Sequence, residues 1–427
     1  MKRLWTGAVI IPLLLLLGAQ GPGVPVEPGG SDTDTQTALA NPDEYAWQLF
    51  MYISRQAIVG QAGVPDPNKQ FGQLDPDASV VWETWALASG GPSASEVYRA
   101  GGVPPLPWDK LDRSQQKLIL DENLEQEMVA RESQRTKIAP FFFPTKPLDQ
   151  EVRMNKVALE NITQKGMYSR DGLEALLAQA SPSLNRSFIQ MDRGAKEVKA
   201  QWSPITDAMK PRYLWHYVTA PDGSKQAYGL VSLHIITKDL PNWFWADFGH
   251  VDCESQSGAC ANQPTIAPEA ALTCPVDTTT RGNLGVSSCP LDPQGRPSSS
   301  GPAGTDGVRK ETVGTVWANY ILRGTQTGFT TTTGTATILS NPVIEAGFQK
   351  SSCMTCHARA AVGPRLLNPN GKLSSAINLL SPGDPELGAP NPAMFGDYAG
   401  FNNPSIMYLQ SDFMWSPVFR SQRKTTP

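Results

Sequence analysis

From Asn41 the chain reads NPDEYAWQLFMYISRQAI, in which Ala46, Leu49, Phe50, Ile53 and Ala57 recur at helical spacing and give one apolar face. Asn41 as cap, Pro42 at the first helical position, and Asp43 with Glu44 beside the positive end of the helix dipole mark its start. A second helical period covers about 112–136, where Leu120, Leu124 and Met128 fall four apart among charged and amide residues that read as a solvated face. DQEVRMNKVALENITQ (149–164) and RDGLEALLAQA (170–180) predict two further helices. The period then changes. GAKEVKAQW, PRYLWHYVTA, AYGLVSLHIITK and NWFWADFGHV are aromatic or β-branched segments parted by turn residues, so each predicts a strand of a mainly antiparallel sheet. Strict alternation puts His250 on one face with Phe244, Ala246 and Phe248, and His234 with Leu230, Ser232 and Ile236.

Two segments lack periodicity. Residues 20–40, rich in Gly, Pro, Ser, Thr and Asp, predict a flexible leader, and 253–310 a long loop excursion. The expected class is therefore α+β: N-terminal helices and an antiparallel sheet in 41–252, packed against a C-terminal region, 311–427, across a disulfide-stapled loop. No period of the solenoid or propeller kind is present.

A chain of 427 residues is ample for a large core, and 11 tryptophans must be placed where they can be buried. A formal net charge of -4 without clustered Lys or Arg gives no footprint for nucleic acid. The opening MKRLWTGAVIIPLLLLLGAQ changes the picture more. Lys2 and Arg3, an apolar run from about Ala8 to Leu17 and small residues after it predict a signal peptide over 1–19, with an uncleaved anchor as the alternative. The expected location is periplasmic and oxidising, with no stable membrane insertion after cleavage. There, Cys253, Cys260, Cys274 and Cys289 in the excursion predict disulfides. Three pairings are open, and the sequential one closes the shortest loops. A zinc site is the competing reading, without paired C-x-x-C spacing or histidines beside these thiols.

FQKSSCMTCHARAAVGPR (348–365) gathers the two remaining cysteines, Cys353 and Cys356, with His357, one of only four histidines. C-x-x-C-H is the attachment signature of haem c: two thiols reach the two vinyl groups of one porphyrin and the next side chain meets the iron. SNPVIEAGFQK (340–350) predicts a helix leading into it. The alternatives are a thioredoxin-type dithiol and half of a zinc site, but no preceding strand or second ligand pair accompanies the motif. The opposite axial position has several candidates: Met394, Met407 and Met414 downstream, His216, His234 and His250 upstream, or an open site. Arg359 and Arg365 are candidates for haem propionates, or simply solvated.

EVRMNKVALENI, GMYSRDGLEAL, GAKEVKAQW, LVSLHIITKDLPNWFWADFGHVD, ANYILRGTQTGF and SNPVIEAGFQKSSCMTCHARA, in that order after AWQLFMYI and VWETW, resemble a group of bacterial exported cytochrome c family proteins. The resemblance runs from about Asn41 onward. It implies one covalent haem on Cys353 and Cys356 with His357 as iron ligand. The chain departs from it at WADFGHVDC, where relatives tend to carry Thr-Phe-Glu before the histidine, which puts the role of Asp247, Gly249 and that strand in doubt. The expected function is one-electron transfer with a redox partner protein or a small electron donor or acceptor. The alternatives are a haem enzyme of the peroxidase or oxygenase type, and a binding or scaffold module with a structural or sensory haem.

Overall fold

The computed structural model describes residues 25–113, 118, 120, 150–179, 189–219, 222–263, 265–266, 309–330, 334, 336–345, 349, 351–362, 388–390 and 408–425. The expected signal peptide, nearly all of the helical period at 112–136, Cys274, Cys289, Arg365, Met394 and Met407 lie outside the described residues.

The segment expected to be a flexible leader contains a helix, α1 (Asp32–Ala40). A capping box at its start, with Ser31 and Asp34 satisfying each other's backbone N–H groups, is the signal the composition obscured. Asp239 then fastens this start to the body, accepting the Gly30 N–H at 2.6 Å while its carbonyl accepts the Thr35 hydroxyl at 2.9 Å. Helix α2 (Pro42–Ile53) follows, with ten of its twelve residues buried.

The chain continues through β1 (Ala86–Leu87), the short α3 (Gly91–Ala94), β2 (Gln150–Met154), α4 (Lys156–Gln164) and α5 (Arg170–Gln179). The expected helix over 149–164 is thus divided. Val152 and its neighbours pair with the next strand, and Asn155, whose side chain accepts the Ala158 N–H, starts the helix only afterwards. The remaining strands are β3 (Lys196–Pro204), β4 (Trp215–Thr219), β5 (Lys225–Thr237), β6 (Phe244–His250) and β7 (Tyr320–Gln326). All seven are antiparallel, in the order β1-β2-β3-β5-β6-β7, and β5 pairs with β4 over its first residues and with β6 over its last.

The loop excursion opens with α6 (Val251–Glu254) and a turn ending at Cys260, closed by a Cys253–Cys260 disulfide, one of the two sequential pairings. The expected helix over 340–350 is, in its described part, a single turn in which Asn341 accepts the N–H groups of Ile344 and Glu345. Helix α7 (Cys353–His357), a small β8 (Ala361–Val362) and β9 (Leu409–Gln410) pair, and α8 (Trp415–Arg420) complete the described fold.

Alternation divides the core between the two faces of the sheet. Val198, Ala200 and Trp202 of β3 and Phe244, Ala246 and Phe248 of β6 pack under α2, where Phe50 stacks on Phe248 with ring centres 4.3 Å apart. Ile236 and Trp245 point the other way, into a second apolar cluster with Met354 and Met414. Cross-strand register puts Lys199, His234 and Asp247 in one row on this second face. No helix among the described residues is long and apolar enough to cross a membrane.

Candidate functional site

Helix α7 is five residues long, so tertiary contacts hold it, not its own propensity. Ser352 caps it by accepting the Thr355 N–H, the Cys353 N–H donates to the Leu339 carbonyl at 2.9 Å, and the Met354 N–H donates to Gln326 Oε1 at the end of β7. Met354 and Thr355 are fully buried, whereas Cys353, Cys356 and His357 are each half-buried. Positions i, i+3 and i+4 of a helix share a face. The two thiols and the imidazole therefore stand together on one side, and the residues between them anchor the turn.

The imidazole is held from behind. His357 Nδ1 lies 2.8 Å from the Phe413 carbonyl oxygen, a contact that requires the proton on Nδ1 and so places the lone pair on Nε2. Trp245 covers the ring at 4.6 Å between centres. The Phe413 carbonyl comes from a tight turn, Ser411 to Met414, closed by Met414 N–H to Ser411 O at 3.1 Å. Its two central residues, Asp412 (φ 51°) and Phe413 (φ 67°), are both left-handed, at about 1–2 kcal/mol each for side chains other than glycine. A cavity of about 810 Å³ adjoins this turn, lined by Asp412, Phe413, Ala358, Phe329, Lys238 and Asn242 among others.

Cys353 and Cys356 are unpaired thiols. Burial, then the Glu345 carboxylate, pushes the Cys353 thiol well up and that of Cys356 to about 11. A dithiol of the thioredoxin kind needs the reverse, a depressed thiol. No group of three or more His, Cys, Asp or Glu that could hold a metal ion stands together among the described residues, at these thiols or in the excursion.

Facing the thiols is a charged row on the sheet. Asp247 accepts Arg323 Nε at 3.1 Å and Asn341 Nδ2 at 2.9 Å, and His234 Nε2 lies 3.3 Å from it. Glu345 stands 3.8 Å from the same His234 nitrogen. Burial alone would lower the His234 pKa, but these two carboxylates outweigh it and the net shift is upward. Asp247, the departure from the resembled pattern, thus neutralises a buried arginine.

The other sequence candidates are dispersed. His250 does not reach this side. It continues the Phe244, Ala246 and Phe248 face, which packs under α2, five residues and about 17 Å of strand beyond Trp245. Its Nε2 donates to the Arg212 carbonyl at 3.0 Å, its Nδ1 accepts the Asp252 N–H, and its ring stacks on Tyr213 at 3.8 Å. His216 pairs with Glu83 at 2.7 Å, near Trp202. Met414 follows the carbonyl that binds Nδ1, so its backbone lies behind the imidazole, away from Nε2. Arg359 is buried and donates to the Thr355 carbonyl, which removes the solvated reading for it. Of the upstream histidines, only His234 lies on the face toward the thiols.

Sequence reasoning missed Glu345, Lys199 and the Phe413 carbonyl. A backbone acceptor 56 residues away carries no residue-type signal. The register of β3, β5 and β6 was the one clue to the charged row. No family model, curated protein or solved structure matches the chain.

Proposed function

We propose that this chain is an exported cytochrome carrying one covalent haem c on Cys353 and Cys356, with His357 as axial ligand, and that it transfers single electrons to or from a protein or small-molecule partner. The carrying observation is the His357 ring: its Nδ1 proton is committed to a carbonyl, and it shares one helix face with two unpaired thiols. That donor set fits the group, since two sulfurs and one neutral imidazole nitrogen are what thioether attachment and iron ligation require. Haem supplies reversible one-electron exchange when bound.

The chain's own residues would do the rest. Cys353 and Cys356 would hold the porphyrin, and Ser352 and Gln326 keep their helix in place. His357 offers Nε2, and the Phe413 carbonyl fixes its tautomer and strengthens it as a donor. Trp245 and Met354 keep water from that flank. His234, the upstream histidine on the thiol face, would be the candidate for a second iron ligand if its Nε2 were released from Asp247 and Glu345.

Expression with haem c maturation, followed by intact mass and the spectrum in alkaline pyridine, tests the reading. A thioether haem on the wild type, lost in Cys353→Ala/Cys356→Ala, is expected. A colourless wild type at bare polypeptide mass overturns it. The cavity beside Phe413 and Ala358 favours a second reading, a haem enzyme with a small organic substrate. Peroxide consumption with a reduced donor, slowed by Gln190→Trp on the cavity wall at unchanged haem content, would favour that reading.

A further inference from the structure

Strain in two consecutive residues persists only where the surroundings over-determine it. At the turn beneath His357 the surroundings include the Ser411 hydroxyl on the Met414 carbonyl at 2.7 Å, the Phe413 ring against Trp245 and Phe329, and contacts to one carboxylate. Asp412 Oδ2 accepts the Met191 N–H at 2.7 Å, and Oδ1 takes Lys238 Nζ at 2.6 Å. Lys238 is held in turn by the Pro241 carbonyl at 2.8 Å. Both charges are largely buried, with side-chain exposures of 3% for Asp412 and 11% for Lys238, unlike a solvated surface pair. Packing alone does not fix the turn, because Asp412 and Phe413 line the cavity and so have open space on one flank.

We propose that Asp412, clamped by Lys238 and the Met191 N–H, is a positioning residue that keeps the Phe413 carbonyl on Nδ1 of His357 and, on the haem reading above, sets the donor strength of the axial ligand. The cause runs through two bonds. The clamp holds residues 412 and 413 left-handed, which aims the carbonyl at Nδ1. The carbonyl then holds the Nδ1 proton and leaves Nε2 richer in electrons, which favours oxidised iron. Without the clamp the turn relaxes, the Nδ1 contact lengthens and the reduced state gains.

The test uses the full-length, haem-matured protein. In Asp412→Ala the oxidised-to-reduced equilibrium should move about tenfold toward reduced iron, a rise of about 59 mV in midpoint for one electron. Asp412→Asn keeps an acceptor for the Met191 N–H and tolerates a left-handed backbone, so it should stay within about twofold of wild type. Lys238→Met, which leaves Asp412 in place, should shift the same way by about threefold and serves if the alanine variant does not fold. The Nδ1 proton of His357 is the second readout: its ¹H–¹⁵N signal is protected from water in the wild type and exchanges faster in Asp412→Ala, while in haem-free protein the same variant passes the proton partly to Nε2. Folded, haem-loaded variants with wild-type midpoint and wild-type Nδ1–H exchange overturn the proposal. If the wild type carries no haem, the reading of the preceding section falls. The tautomer then still decides the role of Asp412, and an unchanged Nδ1–H in Asp412→Ala refutes it.

Discussion

Asp247 and His250 sit three residues apart on one strand, yet they face opposite sides of the sheet and do opposite work. Asp247 compensates Arg323, which is 2% exposed and also pairs with Glu254. Asp247→Asn leaves that guanidinium half-compensated, and we expect a loss of about 3 kcal/mol in chemical denaturation. His250 is neutral in the fold, its pKa lowered by burial to about 4. A histidine with a depressed folded pKa binds fewer protons folded than unfolded, so its contribution falls as pH drops through the ordinary value near 6.5 and levels off below 4. The gap in stability between wild type and His250→Gln should therefore narrow by about 3 kcal/mol between pH 7 and 4. His216 and His234 act in the other sense, since carboxylate neighbours raise theirs despite burial. Each favours the fold at low pH and loses that contribution as pH rises through its raised value. A comparison that keeps both in place isolates His250.

At the scale of elements, the short disulfide loop is the simplest quantity to test. Cys253 and Cys260 lie seven apart, and closing a loop of that size in the unfolded chain is worth about 2.5 kcal/mol on the entropy model. Cys253→Ser/Cys260→Ser should lose roughly that amount, read as a lower denaturation midpoint with unchanged slope. Removing the cap in Ser31→Ala should cost about 1 kcal/mol, which tests whether α1 contributes to the fold. Elements with a strong period were legible in the sequence. The apolar face of α2 and the alternation in β3 and β6 are found where the pattern put them. Those that failed were ruled by local polar contacts. Ser31 and Asp34 make a helix inside a stretch that looks like linker, Asn155 breaks a continuous helical run into strand and helix, and Asn341 closes a single turn in the described part of the helix expected over 340–350. The site divides the same way. The spacing of Cys353, Cys356 and His357 declares their shared face. The carbonyl behind His357 belongs to a turn that folds back from beyond β9, which sequence spacing does not encode.

For the molecule as a whole, the sheet is a partition. One side is filled by aromatic residues around Trp47, Phe50, Phe248 and Trp317, the other by a mixture of apolar groups and compensated charges beneath α7. The aromatic side needs nothing from the thiols. Cys353→Ala/Cys356→Ala should therefore keep a cooperative unfolding transition and the near-ultraviolet dichroism of ordered tryptophans, and collapse of that signal would show that the two sides are not independent.

The bond from Gly30 to Asp239 joins residues 209 apart, and Asp239 also receives the hydroxyl of Tyr45. In a chain synthesised from its amino end, the docking post for this segment arrives only after more than half the polypeptide has been made. Until Asp239 is made, Gly30 and Thr35 lack their acceptors, so the start of α1 docks late in synthesis.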